Sequence, residues 1–158
     1  MANATVQAPS APATRQIRWG RILIGAVLIE VALVAMAVPL FALVDNPFGA
    51  GAKGTPADYT GLFASIAAAA LVLGGLFGAW VARPLKSGFV LHGALTGVVA
   101  TAIYLGLCSI PPNTIPAVVA SYGPFWFFTA NGLRIVGSVA GAAYLGRRGS
   151  STTTGSSS

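Results

Sequence analysis

Four long apolar runs dominate this sequence, and they leave few folds open. They cover Ile22–Val44, Tyr59–Ala82, Gly88–Ile110 and Phe125–Gly146, each 22 to 24 residues long. A helix needs roughly 20 apolar residues to cross the hydrocarbon core of a bilayer. In lipid, only helices and closed barrels satisfy their own backbone hydrogen bonds. These runs are continuously apolar and lack the period-two alternation of barrel strands. The expected fold is therefore an all-α membrane protein, a four-transmembrane-helix antiparallel bundle. The fourth run is the least apolar, because it carries Asn131, Arg134 and several glycines.

Composition excludes the competing classes. Only 8% of the 158 residues are charged and 55% are hydrophobic, whereas a soluble domain averages about 25% charged residues. The net charge of +6 does not point to nucleic acid. The chain has no basic helix or aromatic-studded strand, and its cations sit at the ends of the apolar runs. Cys108 is the only cysteine, so no intrachain disulfide or cysteine metal cage can form. Residues 1–14 and 149–158 are small and polar, and both are expected to be disordered tails flanking one membrane domain over 15–148. The first run is also too long for a signal peptide, whose apolar part spans about 7–15 residues.

Orientation follows from the cations. Arg15, Arg18 and Arg21 precede the first run, Arg83 and Lys86 lie between the second and third, and Arg147 and Arg148 follow the fourth. Seven cations thus fall on one side and Lys53 alone on the other, with Arg134 inside a run. Membrane proteins keep such residues cytoplasmic. Both termini are therefore predicted inside, N-in/C-in, in a prokaryotic cytoplasmic membrane. Trp19, Trp80 and Tyr144 then fall at the inner interface, and Tyr59, Tyr122 and Trp126 at the outer one, the levels such side chains favour. Pro39 is expected to kink the first helix. The uncharged segment 111–124 is expected to cap the outer end.

Glu30 and Arg134 carry the strongest chemical signal. An ionisable group deep in a bilayer costs about 2.5–3.5 kcal/mol on insertion scales and needs a partner. Helical rise puts Glu30 roughly 12 Å and Arg134 roughly 16 Å from the cytoplasmic side, a gap within an arginine's reach. An intramembrane Glu30–Arg134 ion pair is expected. Residues three, four and seven positions away share a helix face. Around Arg134 these are Ala130, Asn131, Gly137, Ser138 and Gly141, all small or polar, so Asn131 and Ser138 are candidates for a polar network with the pair. His92, the lone histidine, and Thr96 one turn on are further candidates. GxxxG spacing occurs at Gly74–Gly78, Gly93–Gly97 and Gly137–Gly141, which suits close packing within one chain or between chains.

Catalytic signatures are missing. One histidine, one cysteine and three acids (Glu30, Asp45, Asp58) form no recognisable triad, carboxylate pair or metal cluster. No cofactor or metal is expected.

The stretch Gly25-Ala26-Val27-Leu28-Ile29-Glu30-Val31 resembles the first helix of small multidrug resistance transporters. That resemblance implies four helices and a membrane-embedded glutamate that exchanges protons for cationic drugs. It covers about seven residues, and the family's proline-glycine-tyrosine signature in the second helix is absent here. In general character the chain also resembles small bacterial four-helix inner-membrane proteins of unassigned function, a likeness that implies no activity. The leading expectation is a multi-pass, noncatalytic membrane protein or accessory subunit, in which the Glu30–Arg134 pair organises the bundle. The alternative is a small oligomeric proton-coupled transporter using Glu30. The partners expected are the lipid bilayer and a homo-oligomer or larger membrane complex.

Overall fold

The computed structural model describes residues 16–43, 55, 57–110 and 115–150. Among them the structure is entirely helical, with α1 at Trp19–Leu43, α2 at Thr60–Ala82, α3 at Phe89–Cys108, α4 at Ile115–Tyr122 and α5 at Pro124–Ser150. Three stretches are long and apolar enough to cross a membrane: Trp19–Ala42, Thr60–Ala82 and Phe89–Cys108. The fourth apolar run forms α5, which is 27 residues long and is not among these three stretches. Its polar and small residues keep it out of that apolar class.

Helix ends differ from the expected ones in informative places. α1 starts three residues early, at Trp19, and its backbone stays helical through Pro39 to Leu43. α3 stops at Cys108, two residues short of Ile110. α5 runs on past Gly146 to Ser150, so Gly149 and Ser150 belong to a helix and not to the tail. Arg147 and Arg148 sit in its last turn, where positive charge complements the partial negative charge of a helix C-terminus. The segments 1–15 and 151–158 lie outside the described residues, as do Asp45 and Lys53.

The long helices alternate in direction. Arg21 reaches Trp80 and Gly25 faces Phe77, so α1 and α2 run antiparallel. Gly93 meets Ala142 and Gly97 meets Ile135, so α3 and α5 do likewise. Leu71 and Gly75 face Gly137 and Gly141 in the same order, so α2 and α5 are parallel. Arg18, Arg21, Arg83, Lys86, Arg147 and Arg148 therefore collect at one end of the molecule, and Asp58 lies at the other. α5 packs chiefly on α2 and then on α3. α1 packs on the other side of that α2–α3 pair and hardly meets α5.

Two kinds of packing hold this arrangement. Between α2, α3 and α5 the contact is backbone against backbone. A methyl group added at Gly78 would strike the Ser138 backbone, one at Gly93 would lie 2.5 Å from the Ser138 carbonyl, and one at Gly141 would strike the Gly75 carbonyl. The three GxxxG pairs are thus consumed inside the chain, where small residues permit close approach. Between α1, α2 and α3 the core is ordinary apolar packing of Ala26, Ile29, Leu33, Ala70 and Ala100, with Leu73, Phe77 and Ile103 against it.

The α2–α3 connection shows how a single residue shapes a joint. A helical carbonyl normally accepts from the N–H four residues on, but for Trp80 that residue is Pro84, which has none. Arg21 of α1 donates to the orphaned Trp80 carbonyl at 2.9 Å, and its guanidinium lies 4.4 Å from the Trp80 ring centre. Gly88, at φ 74°, then makes the left-handed turn into α3 that other residues resist. At the opposite end, Gly123 (φ 74°) joins α4 to α5. Tyr122 of α4 stacks on Phe63 of α2, with ring centres 4.8 Å apart.

Surface and interior are reversed relative to a soluble protein. Leu23, Val27, Val31, Val34 and Val38 form an exposed stripe along α1, while Glu30, His92, Thr96, Asn131, Arg134 and Ser138 are all buried. Water-soluble folds bury the former and expose the latter. Lipid favours the arrangement seen.

Candidate functional site

Glu30 reaches the interior because it shares the buried stripe of α1 with Ala26, Ile29 and Leu33, at helical spacing. Arg134 shares a stripe of α5 with Asn131 and Ser138. The two stripes face each other across the groove between α2 and α3. Arg134 Nε lies 3.2 Å from Glu30 Oε1, and the residues are only 4% and 5% exposed. This contact spans two helices whose backbones scarcely approach.

The guanidinium has two further supports. Its NH1 group donates to Asn131 Oδ1 at 2.8 Å, and Asn131 Nδ2 donates in turn to the Phe127 carbonyl at 2.8 Å. Those partners fix the amide orientation, since only the oxygen can accept from arginine. The Tyr104 ring centre lies 4.9 Å from Arg134 Cζ, within cation–π range. Tyr104 was not among the residues expected from sequence. A signal for it exists, because His92, Thr96, Ala100 and Tyr104 recur every four residues along one face of α3.

The pair is close without being hydrogen-bonded. Neither Glu30 Oε1 nor Arg134 Nε has a hydrogen-bond partner, because proximity without alignment does not make one. Each group neutralises the other's charge while one acceptor and one donor stay unfilled.

The other expected network members are engaged elsewhere. Ser138 Oγ donates to the Arg134 carbonyl at 2.9 Å, and its backbone fills the junction beside Gly74, Gly78 and Gly93. His92 sits at the cation-rich end, where its Nε2 accepts from the Arg18 backbone N–H at 3.3 Å and Nδ1 lies 3.0 Å from the Gly88 carbonyl. Those partners require the tautomer with the proton on Nδ1. Thr96 Oγ1 donates to the His92 carbonyl at 2.8 Å. His92 thus ties the residue preceding α1 to the start of α3, Thr96 bonds within α3, and neither bonds Glu30 or Arg134. Among the described residues no three His, Cys, Asp or Glu side chains gather as a metal site.

Beside the ion pair lies a cavity of about 170 Å³, bounded by Leu33, Ala37 and Phe41 of α1 and by Phe127 and Ala130 of α5. Tyr104 and Tyr122 also line it. Burial pushes the Tyr122 phenol up to about 12, so it keeps its proton at physiological pH. The arrangement can hold charge apart from water and present both a donor and an acceptor to an apolar chamber. No family model, curated protein or solved structure matches the chain.

Proposed function

We propose that all four long helices cross the bilayer of a prokaryotic cytoplasmic membrane, with both termini and the α2–α3 loop inside, and that the Glu30–Arg134 pair organises the assembly. The protein then acts as a noncatalytic multi-pass membrane component or accessory subunit. Support for α5 as the fourth span comes from where its polar groups lie. Asn131, Arg134 and Ser138 are buried, whereas Phe125, Phe128, Val136 and Tyr144 are exposed, so its outer face is apolar even though its average is not. The cations gathered at one end favour the inside orientation.

One observation carries the organising role. The ion pair joins α1 to α5, two helices that otherwise hardly meet among the described residues. It therefore acts as a cross-brace on the diagonal of the bundle. Such a pair specifies which helix belongs where while contributing little net stability. The transporter alternative requires Glu30 to exchange its proton freely. Arg134, held by Asn131 and Tyr104, instead lies where it favours the charged carboxylate over free proton exchange.

The test compares Glu30→Gln, Arg134→Gln and the double variant by the amount of folded protein in membranes and by proton-linked uptake in vesicles. An organising pair predicts low abundance for each single variant and partial recovery in the double. Normal abundance of Glu30→Gln with abolished proton-linked uptake would establish the transporter reading instead. Topology reporters fused at either terminus should both read cytoplasmic.

A further inference from the structure

We propose that the cavity beside the ion pair is a binding site for an uncharged, single-ring amphiphile bearing a hydroxyl or carbonyl oxygen. This inference uses the geometry of the Glu30–Arg134 contact but not its role in folding.

Size comes first. The chamber measures about 170 Å³, and an apolar protein cavity of roughly 150 Å³ accommodates one benzene ring. One ring therefore fits within it. Its walls are suited to a ring: Phe41, Tyr104, Tyr122 and Phe127 all contribute to the lining, and aromatic faces and edges pair favourably.

The floor sets the polar requirement. Glu30 and Arg134 both line the chamber, both are more than nine-tenths buried, and Glu30 Oε1 and Arg134 Nε each lack a hydrogen bond. Buried polar atoms in folded proteins nearly always have a partner, so each unfilled one calls for an explanation. A hydroxyl can donate to the carboxylate, and a hydroxyl or carbonyl oxygen can accept from the guanidinium. The charges of the pair cancel, so a neutral occupant suits the site and a cation or anion brings an uncompensated charge into it.

Access comes from the side. Val34 and Val38 border the chamber and are 52% and 60% exposed on the apolar outer stripe of α1. A ring can arrive through that gap from the lipid phase, either as a free solute or as the head of a molecule whose tail stays in the bilayer.

The experiment titrates the full chain in lipid nanodiscs, with empty nanodiscs subtracted. The probes are para-ethylphenol, ethylbenzene and the para-ethylbenzylammonium cation. The expected result is saturable binding of para-ethylphenol at one site, about tenfold or more tighter than ethylbenzene, the loss expected when a hydrogen bond to a charged group goes unmade, and tighter than the ammonium, whose charge the neutral pair does not compensate. Ala37→Leu fills the chamber from α1 and leaves the ion pair in place, so it should abolish binding at wild-type abundance and unfolding temperature. Ala130→Leu, filling from α5, is the second variant should the first fail to accumulate. Comparable binding of para-dodecylphenol identifies a membrane-borne ligand, and binding of the short phenol alone identifies a free solute; both support the site. Equal affinity for ethylbenzene, preference for the cation, no saturable binding, or binding unchanged in both filled variants overturns it. The chamber can fail this test while the pair still behaves as a brace, because the filling variants leave Glu30 and Arg134 untouched.

Discussion

The α2–α3–α5 side and the α1 side of the molecule are held together by opposite means. On the first, glycines bring backbones into contact, and stability comes from shape over a short range. On the second, apolar side chains of ordinary size leave a chamber, and one charged contact reaches across it. Shape packing fails when anything is added. A charged brace fails when one half is removed, and recovers when the other half goes too. The difference teaches where this chain has room: the seam glycines Gly78, Gly93 and Gly141 admit no added methyl, and the α1 side borders a chamber next to its most polar groups.

Four expectations probe that contrast, beginning with the largest effect. Removing one ion of a buried pair strands the other, so Arg134→Gln or Glu30→Gln should destabilise the protein by about 3–5 kcal/mol, measured by unfolding in mixed micelles. Next, Gly141→Ala should cost roughly 1–3 kcal/mol, because its methyl meets the Gly75 backbone and overpacking forces the helices apart. No second polar substitution should rescue it, which separates seam from brace. Third, Arg21→Ala strips the donor from the Trp80 carbonyl left open by Pro84. Loss of a charge-assisted hydrogen bond of this kind costs about 1.5–3 kcal/mol when buried, and partial exposure should place the measured value near the bottom of that range.

The smallest effect is far from both regions. Asp58 Oδ2 accepts from the Thr55 backbone N–H at 2.6 Å and from its hydroxyl at 2.9 Å. The backbone hydrogen bond, followed by the hydroxyl, holds this carboxyl below its ordinary value of 3.8. A depressed folded-state value means the contribution is fully present above 3.8 and is lost as pH falls through the lower folded value. The protection of amides ahead of α2, measured relative to their intrinsic exchange rate at each pH, should therefore stay constant from neutral to mildly acidic pH and fall only in stronger acid. Asp58→Asn should remove that dependence.

Much of the fold was legible in the apolar runs, because a bilayer-length helix needs only length and apolarity to declare itself. Three runs meet that standard in the structure. α5 shows the limit: its burial pattern, with Arg134 and Ser138 inward and Phe128 and Val136 outward, is invisible to an average over the run. Depth arithmetic put Glu30 and Arg134 within reach, and helix periodicity placed Asn131 beside Arg134. It could not foresee that Ser138 would serve the glycine seam or that His92 would bond the residue preceding α1, since both depend on which helix faces which. Tyr104 was hidden for the same reason. The chamber had no local signature at all, because a void is made by elements distant in sequence. Nor did residues 115–122 announce a separate helix, since eight residues with a proline at the second position carry too little periodicity.

The central claim is that Glu30 and Arg134 stabilise the same contact between α1 and α5. A double-mutant cycle on Glu30→Gln and Arg134→Gln, read by unfolding in mixed micelles, measures that directly. The account predicts a coupling of about 1–3 kcal/mol, with the double variant more stable than the sum of the single losses requires. Single losses that simply add, leaving a coupling near zero, would contradict it.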